Sequence, residues 1–285
     1  MLRNLSVGGK TALLVLGIVC FAVVILGTVF NRFVKEVIRK RTLFSIATVT
    51  DLKKQQVDLF FNQAESNSKI IKGIFANQPN LAQLSDIERK AINTELNLIN
   101  SESSLTNTII LDQNKQIVFS ESNSKTSINR ALIHELKEAL PQSDNAISYG
   151  NILVYGSSYL FPIVQKIQTD SGKPLYLITA VKLNKLYGLL ADTVGLGSTG
   201  EVLIGSLSNN KNGIVHNPLR FNTDASFKLK VTANGALKNS FWEAIQQRNG
   251  TGQDIDYRGK EVLASWRYLP CLLYTSPSPR DRTRS

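Results

Sequence analysis

Residues 178–206, ITAVKLNKLYGLLADTVGLGSTGEVLIGS, set the plan of the chain. The start of this stretch closes an aliphatic and β-branched run, LYLITAVKL at 175–183, which has the composition of a strand. Its end opens another: Glu201–Gly205 reads as a strand reached through a turn crowded by Gly195, Gly197 and Gly200. The spacing G-x-G-x-x-G is shared with phosphate-binding loops, but those follow a strand and open a helix, whereas this one leads into a strand. The glycines are therefore read as a turn between two folded units, with the boundary at 192/193.

Upstream, the segment 11–30, TALLVLGIVCFAVVILGTVF, holds no charged residue over a length that at 1.5 Å per residue matches a hydrocarbon core of about 30 Å. The apolar run is longer than that of a cleaved signal and is followed by Asn31, Arg32 and Phe33, so a transmembrane helix is expected after a short cytoplasmic N-terminus, 1–10. From Phe33 to Phe75 apolar residues recur nearer to 3.6 than to 2, which predicts a long amphipathic helix ended by Pro79. Such a helix is expected to pack on the domain that follows, and its functional reading is a rod leaving the membrane and a dimer seam. A second helix is predicted at 86–100, where Ser85 and Glu88 have capping-box spacing.

The period then changes. Residues 105–122 alternate about a polar turn at 112–115, the pattern of a hairpin, and 130–140 reads as a short amphipathic helix. NILVYGSSYLFPIV, 151–164, is read as one strand and 175–183 as the next. Past the glycine turn, GALKNSFWEAIQQRN at 235–249 reads as a helix, and two strands flank Arg258-Gly259-Lys260. One central antiparallel sheet with helices on one side buries the apolar faces of such elements.

The pair of motifs ITAVKLNKLYGLLADTVGLGSTGEVLIGS and GTGQDIDYRGKEVLASWRYLP, the second about fifty residues on, resembles the double Cache family of extracytoplasmic sensor regions. The resemblance covers Phe33 to Pro270. It implies an α+β fold: a transmembrane helix, a long amphipathic helix, and two PAS-like subdomains with antiparallel sheets. The membrane-distal subdomain with its helix falls at 31–192 and the membrane-proximal one, incomplete, at 193–270. Family members continue into a closing strand, a second transmembrane helix and an output module. The implied function is extracytoplasmic sensing of a small molecule for a membrane receptor, with a histidine kinase as the expected output. A chemoreceptor, a nucleotide cyclase or an anchored binding protein without output are the alternatives.

Catalysis finds no support in the motifs: no P-loop lysine, G-x-S-x-G elbow or H-E-x-x-H occurs, and His134 and His216 have no spaced partners. No cofactor or metal is expected. Binding is better founded, since ligand pockets are mostly apolar or aromatic with a few orienting polar groups. Tyr149, Tyr155, Ser157, Tyr159 and Phe161 supply that mixture, and in a single strand the last four share one face. Thr179 on the neighbouring strand completes the candidate set. Amino-acid-binding members of the family carry an Arg and a Trp a few residues apart in the distal unit. No such pair lies between 77 and 192, so the expected ligand is a small molecule other than an amino acid.

Much of the excess positive charge sits in one cluster, NRFVKEVIRKRT at 31–42, beside the apolar run, which fits a membrane flank and not a nucleic-acid face. Charge bias alone would put this flank in the cytoplasm, but it counts for less when a large domain is translocated, and the expected location is the plasma membrane with the main domain outside. The expected partners are the bilayer and a second copy. At the other end CLLYTSPSPRD, 271–281, resembles a translated sequencing-adapter sequence. Residues 271–285 are accordingly left out of the fold, and the natural chain is expected to continue past Pro270.

Overall fold

The computed structural model describes residues 7–270 except 77, 79–80, 122–125, 136–139, 142, 144–145, 169–172, 208–211 and 233–239. Pro79, the adapter-like tail and residues 1–6 lie outside the described residues.

Helix α1, Val7–Ala76, runs without a break for 70 residues, about 105 Å at the standard rise. Its first part exposes Leu14, Phe21, Val23 and Phe30. Among the described residues this is the one helix long and apolar enough to cross a membrane. Farther on, Val57, Phe61, Ala64, Ser68, Ile71 and Phe75 are buried. Their spacing of three and four places them on one face, so the C-terminal part of the helix becomes a wall of the core.

Helix α2, Asp86–Glu102, starts at the predicted capping box. Ser85 Oγ accepts from the Glu88 amide at 3.3 Å, and the Glu88 carboxylate accepts from the Ser85 amide at 2.8 Å. The predicted hairpin is β1, Leu105–Leu111, and β2, Ile117–Ser120. Asp112 closes its turn by accepting from the amides of Asn114 and Gln116, both at 2.8 Å.

Helix α3 spans Thr126–Glu135, earlier than the predicted 130–140, and 136–139 lie outside the described residues. Strands β3, Ile147–Tyr149, β4, Leu153–Tyr155, β5, Ser158–Ile167, and β6, Leu175–Lys182, complete an antiparallel sheet ordered β2-β1-β6-β5-β3, with β4 also on β5. The last strand thus lies between the first and the penultimate one.

Helices cover both faces of this sheet and not one. Phe161, Ile163, Leu177 and Val181 pack toward α1 and α2. Leu160, Val164, Ile178 and Ala180 pack with Leu132 of α3. Burial on both sides explains why β5 and β6 read as nearly continuous apolar runs and not as alternating ones.

The second unit follows helix α4, Asn184–Ala191, which buries Leu186, Tyr187 and Leu190. Strands β7, Gly205–Leu207, β8, Gly213–Val215, and β9, Lys230–Val231, form one small sheet. The strand expected at 201–205 begins only at Gly205, because the Ile204 amide donates to the Asn217 side chain at 2.8 Å and not to a ladder partner. Helix α5, Ser240–Ile245, is shorter than the predicted 235–249, part of which lies outside the described residues. The predicted hairpin is β10, Gly250–Ile255, and β11, Glu261–Trp266. Its turn is closed by Asp256, which accepts from the amides of Arg258 and Lys260 and forms an ion pair with the Arg258 guanidinium, and Gly259 supplies the left-handed φ of 74°.

Candidate ligand-binding site

The six residues expected to form one site lie in three places. The reason is the sequence Tyr155-Gly156-Ser157: Gly156 adopts φ 58° and, with Ser157, turns the chain between β4 and β5. What reads as one strand is a tight hairpin in which Tyr155 pairs with Ser158. The face expected to run from Tyr155 through Ser157 to Phe161 is therefore broken at Ser157, and only Tyr159 and Phe161 keep a common side on β5. Tyr155 is half-buried and Ser157 exposed.

Phe161, Tyr149 and Thr179 meet beneath α1. The Tyr149 ring stacks on Phe161 with centroids 5.6 Å apart, and Phe61 of α1 approaches Phe161 edge-on at 5.5 Å. The Tyr149 hydroxyl donates to the carboxylate of Glu65, also on α1. Thr179 is fully buried and its hydroxyl lies 2.7 Å from that of Ser68. Gln165 donates to the same Ser68 oxygen at 2.6 Å. Neither Ser68 nor Gln165 was singled out from the sequence, although Gln165 inside the apolar run SYLFPIVQKI was a visible signal. Three buried polar side chains thus tie α1 to the two central strands, bonded to one another through Ser68.

Tyr159 faces the second unit. It meets Tyr187 of α4 edge-on at 5.1 Å and stacks on Phe227 at 5.5 Å, and Phe227 in turn stacks on His216 at 5.0 Å. His216 is 3% exposed, with Nε2 2.9 Å from the Ser206 hydroxyl. Burial pushes its pKa down to about 4, so the ring is neutral near pH 7.

A cavity of about 530 Å³ opens elsewhere, between α1 at Thr42–Val57, the segment leading into β7, and β11. Lys53 stands at its edge, donating to the Leu189 carbonyl at 2.7 Å and to Asp192 at 3.3 Å. The volume alone would suit a small ligand. Its walls argue otherwise. Among the described strands β7 pairs only with β8 and β11 only with β10, so both present an unpaired edge to the cavity. The first unit runs helix, hairpin, helix, hairpin and then β6, which enters between β1 and β5. The second runs α4, β7–β8–β9, α5 and β10–β11, in two separate sheets.

Solved structures with a similar fold include sensory domains. The periplasmic sensory domain of the Campylobacter jejuni chemoreceptor Tlp1 matches with a TM-score of 0.56 at 13% identity, over 77% of this chain and 87% of that one. The ligand-binding domain of the C. jejuni chemoreceptor Tlp3 in complex with L-valine matches at 0.51 and 14% identity, over 81% and 90%. The extracellular domain of vpHK1S-Z8, named as a histidine kinase, matches at 0.51 and 12%, over 75% and 82%. No family profile and no curated protein matches the chain. At these identities the likeness is one of fold, and it is the fold of the double Cache sensor regions that the two sequence motifs resemble.

Proposed function

We propose that the chain is the extracytoplasmic small-molecule-sensing region of a membrane-bound signal-transduction receptor, the input of a histidine kinase. The observation that carries this reading is α1: one helix passes from the apolar stretch Leu14–Phe30 to the buried contact of Ser68 with Thr179 and Gln165. A rearrangement of the distal sheet therefore has a rigid route toward the membrane. The helix anchors the chain in the plasma membrane, with the domain outside and a second copy alongside. A chemoreceptor output is the second reading, favoured by the likeness to the Tlp1 domain.

The ligand is placed in the distal unit at the six candidate residues. Tyr149, Phe161 and Thr179 would meet it beneath α1, Tyr155 and Ser157 at the turn between β4 and β5, and Tyr159 on the side of the second unit. The Tlp3 domain was solved with L-valine, but residues 77–192 of this chain hold no Arg and Trp pair of the kind amino-acid-binding members carry, and the ligand proposed is not an amino acid. To signal, it must bind one packing of the sheet on α1 more tightly than another, with a difference of about 1–3 kcal/mol.

The test is a thermal-shift panel on the detergent-solubilised chain, with carboxylic acids, amines, purines, sugars and amino acids as separate classes. One class other than amino acids is expected to raise Tm, and Tyr155→Ala or Tyr159→Leu to abolish the rise. If no class stabilises, sensing loses its support; if stabilisation survives both substitutions at full size, the site lies elsewhere.

A further inference from the structure

Phe227 holds a backbone conformation that its side chain disfavours. Among the described non-glycine residues with positive φ, Asn107, Lys115 and Gln247 carry flexible or turn-forming side chains, and Phe227, at φ 57°, is the one that carries a ring. A left-handed backbone is an outlier for a residue of this bulk. It persists only where the surroundings over-determine it.

Here the surroundings are two rings. Phe227 is stacked between Tyr159 at 5.5 Å and His216 at 5.0 Å, with planes 26° and 17° from parallel. Both neighbours are fixed. Tyr159 pairs with Val154 of β4, and its carbonyl accepts from the Leu183 amide at 2.9 Å. The His216 amide donates to the Ile204 carbonyl at 2.8 Å, and its ring is engaged by Ser206. Phe227 itself lies on a turn that bonds largely to itself, the Ala225 carbonyl accepting from the amides of Lys228 and Leu229 at 3.1 and 2.9 Å. Two bonds tie this turn to β8, from the Phe227 amide to the Val215 carbonyl at 2.7 Å and from the Val215 amide to the Leu229 carbonyl at 3.0 Å.

Seating the ring also strands polar atoms. The Ser226 hydroxyl, Nδ1 of His216 and the Tyr187 hydroxyl are buried without a hydrogen-bond partner among the described residues. Ser226 precedes Phe227, His216 stacks on it, and Tyr187 meets its other neighbour, Tyr159, edge-on at 5.1 Å. Buried polar groups are as a rule paired. The seated arrangement thus carries backbone strain and unpaired polar groups and is held by two ring stacks, the make-up of an element with two discrete positions and not of a permanent core contact.

We propose that Phe227 is a latch with two positions: seated between Tyr159 and His216, where it fastens the second unit to β5, and released with its turn into solvent, where its backbone leaves the left-handed region. The latch rests on this geometry alone. Its use in signalling rests on the sensing reading, in which Tyr159 is a ligand contact. Tyr187 is held on α4, so a ligand that takes the Tyr159 ring competes with Phe227 for it, and binding releases the turn.

Ser226→Cys reports the position of the latch, because the side-chain oxygen of Ser226 is buried while the ring is seated. The full chain carrying Cys20→Ser and Cys271→Ser is labelled with 4,4′-dithiodipyridine at fixed pH. Val231→Cys in β9 and Ala180→Cys in β6, both at buried positions, are the controls, since thiols there react only when their own unit opens. The thiol at position 226 is expected to react about tenfold faster than either control. Tyr159→Leu removes one of the two stacks and should speed labelling at 226 about tenfold more, leaving the rate at 231 within about twofold. Phe227→Gly, which takes a left-handed φ without strain, should do the same and carries the test if Tyr159→Leu does not fold. Equal rates at 226 and 231, an acceleration shared by both positions, or no acceleration by Phe227→Gly would overturn the latch. No ligand enters this assay, so a negative thermal-shift panel leaves the latch standing, and a latch that never opens leaves the panel standing.

Discussion

The ring of Phe227 stacks on that of Tyr159, centroids 5.5 Å apart and planes 26° from parallel, and joins the second unit to strand β5 of the first. Phe227 adopts φ 57°, a left-handed conformation that costs a side chain of this size about 1–2 kcal/mol. Its amide donates to the Val215 carbonyl at 2.7 Å, and its ring also stacks on His216, so the strained conformation is held from two sides.

If this stack couples the units, Tyr159→Leu and Phe227→Leu should not be additive. Aromatic pairs of this geometry contribute about 0.5–1.5 kcal/mol beyond area burial, and a double-mutant cycle on urea unfolding is expected to return a coupling in that range. Additivity to within about 0.3 kcal/mol would show that the two rings touch without holding the units together.

Ser68 is the hub of the contact between α1 and the sheet, since both Thr179 and Gln165 bond to it. Ser68→Ala should strand two buried groups and destabilise the distal unit by about 2–3 kcal/mol. Thr179→Val leaves the Gln165 bond to Ser68 in place and should cost about 1 kcal/mol. The order of the two, read from urea midpoints, is the decisive result; a larger loss for Thr179→Val would mean that Thr179 and not Ser68 fastens the helix.

Much of this architecture was legible because it rests on local chemistry. The capping box at Ser85 and Glu88, the Asp112 turn and the hairpin about Gly259 each need only residues adjacent in sequence. The turn read at Gly195 and Gly197 is likewise local, and both are left-handed in the structure at φ 83° and 68°. What escaped depends on tertiary partners. Gly156 was read inside a strand, because a glycine within an apolar run marks a bend only when its φ is known. The polar contacts of Ser68 and Gln165 lie 97 residues apart, and nothing in either neighbourhood names the other. The stack of Tyr159 on Phe227 crosses the boundary between the units, and so was invisible to any reading made unit by unit.

Gly213 of β8 faces Phe241 of α5 with no room between them: a Cβ placed on Gly213 would meet the ring at 2.1 Å, and one on Gly205 across the ladder would meet it at 2.5 Å. Gly213→Ala is therefore expected to displace the ring and destabilise the second unit by about 1–3 kcal/mol, the usual range for overpacking. Phe241→Leu in the same chain should recover part of the loss. Calorimetry on the single and double variants tests it, and a double variant less stable than either single one would place the strain somewhere other than at the ring.

His216 makes the second unit acid-sensitive. Its Nδ1 is buried with no hydrogen-bond partner, and Nε2 is engaged by Ser206. The protonated ring would bring two donors where one partner stands, and burial disfavours its charge, which is why its pKa is pushed down to about 4 from an ordinary 6.5. Between these values the unfolded chain takes up a proton that the folded one refuses. The stabilisation is thus fully present above pH 6.5 and is lost as pH falls toward 4, reaching about 3 kcal/mol. Trp242 of α5 and Trp266 of β11 are the only tryptophans of the chain, and both belong to this unit, so their fluorescence in urea follows its unfolding. His216→Gln should flatten the dependence between pH 6.5 and 4 while leaving in place the fall below pH 4 that comes from Asp51 and Asp256, whose pKa values are lowered by their arginine and backbone partners. Parallel curves for the two proteins would mean that His216 is solvated and charged in the folded state, and that the stack on Phe227 does not exclude water from it.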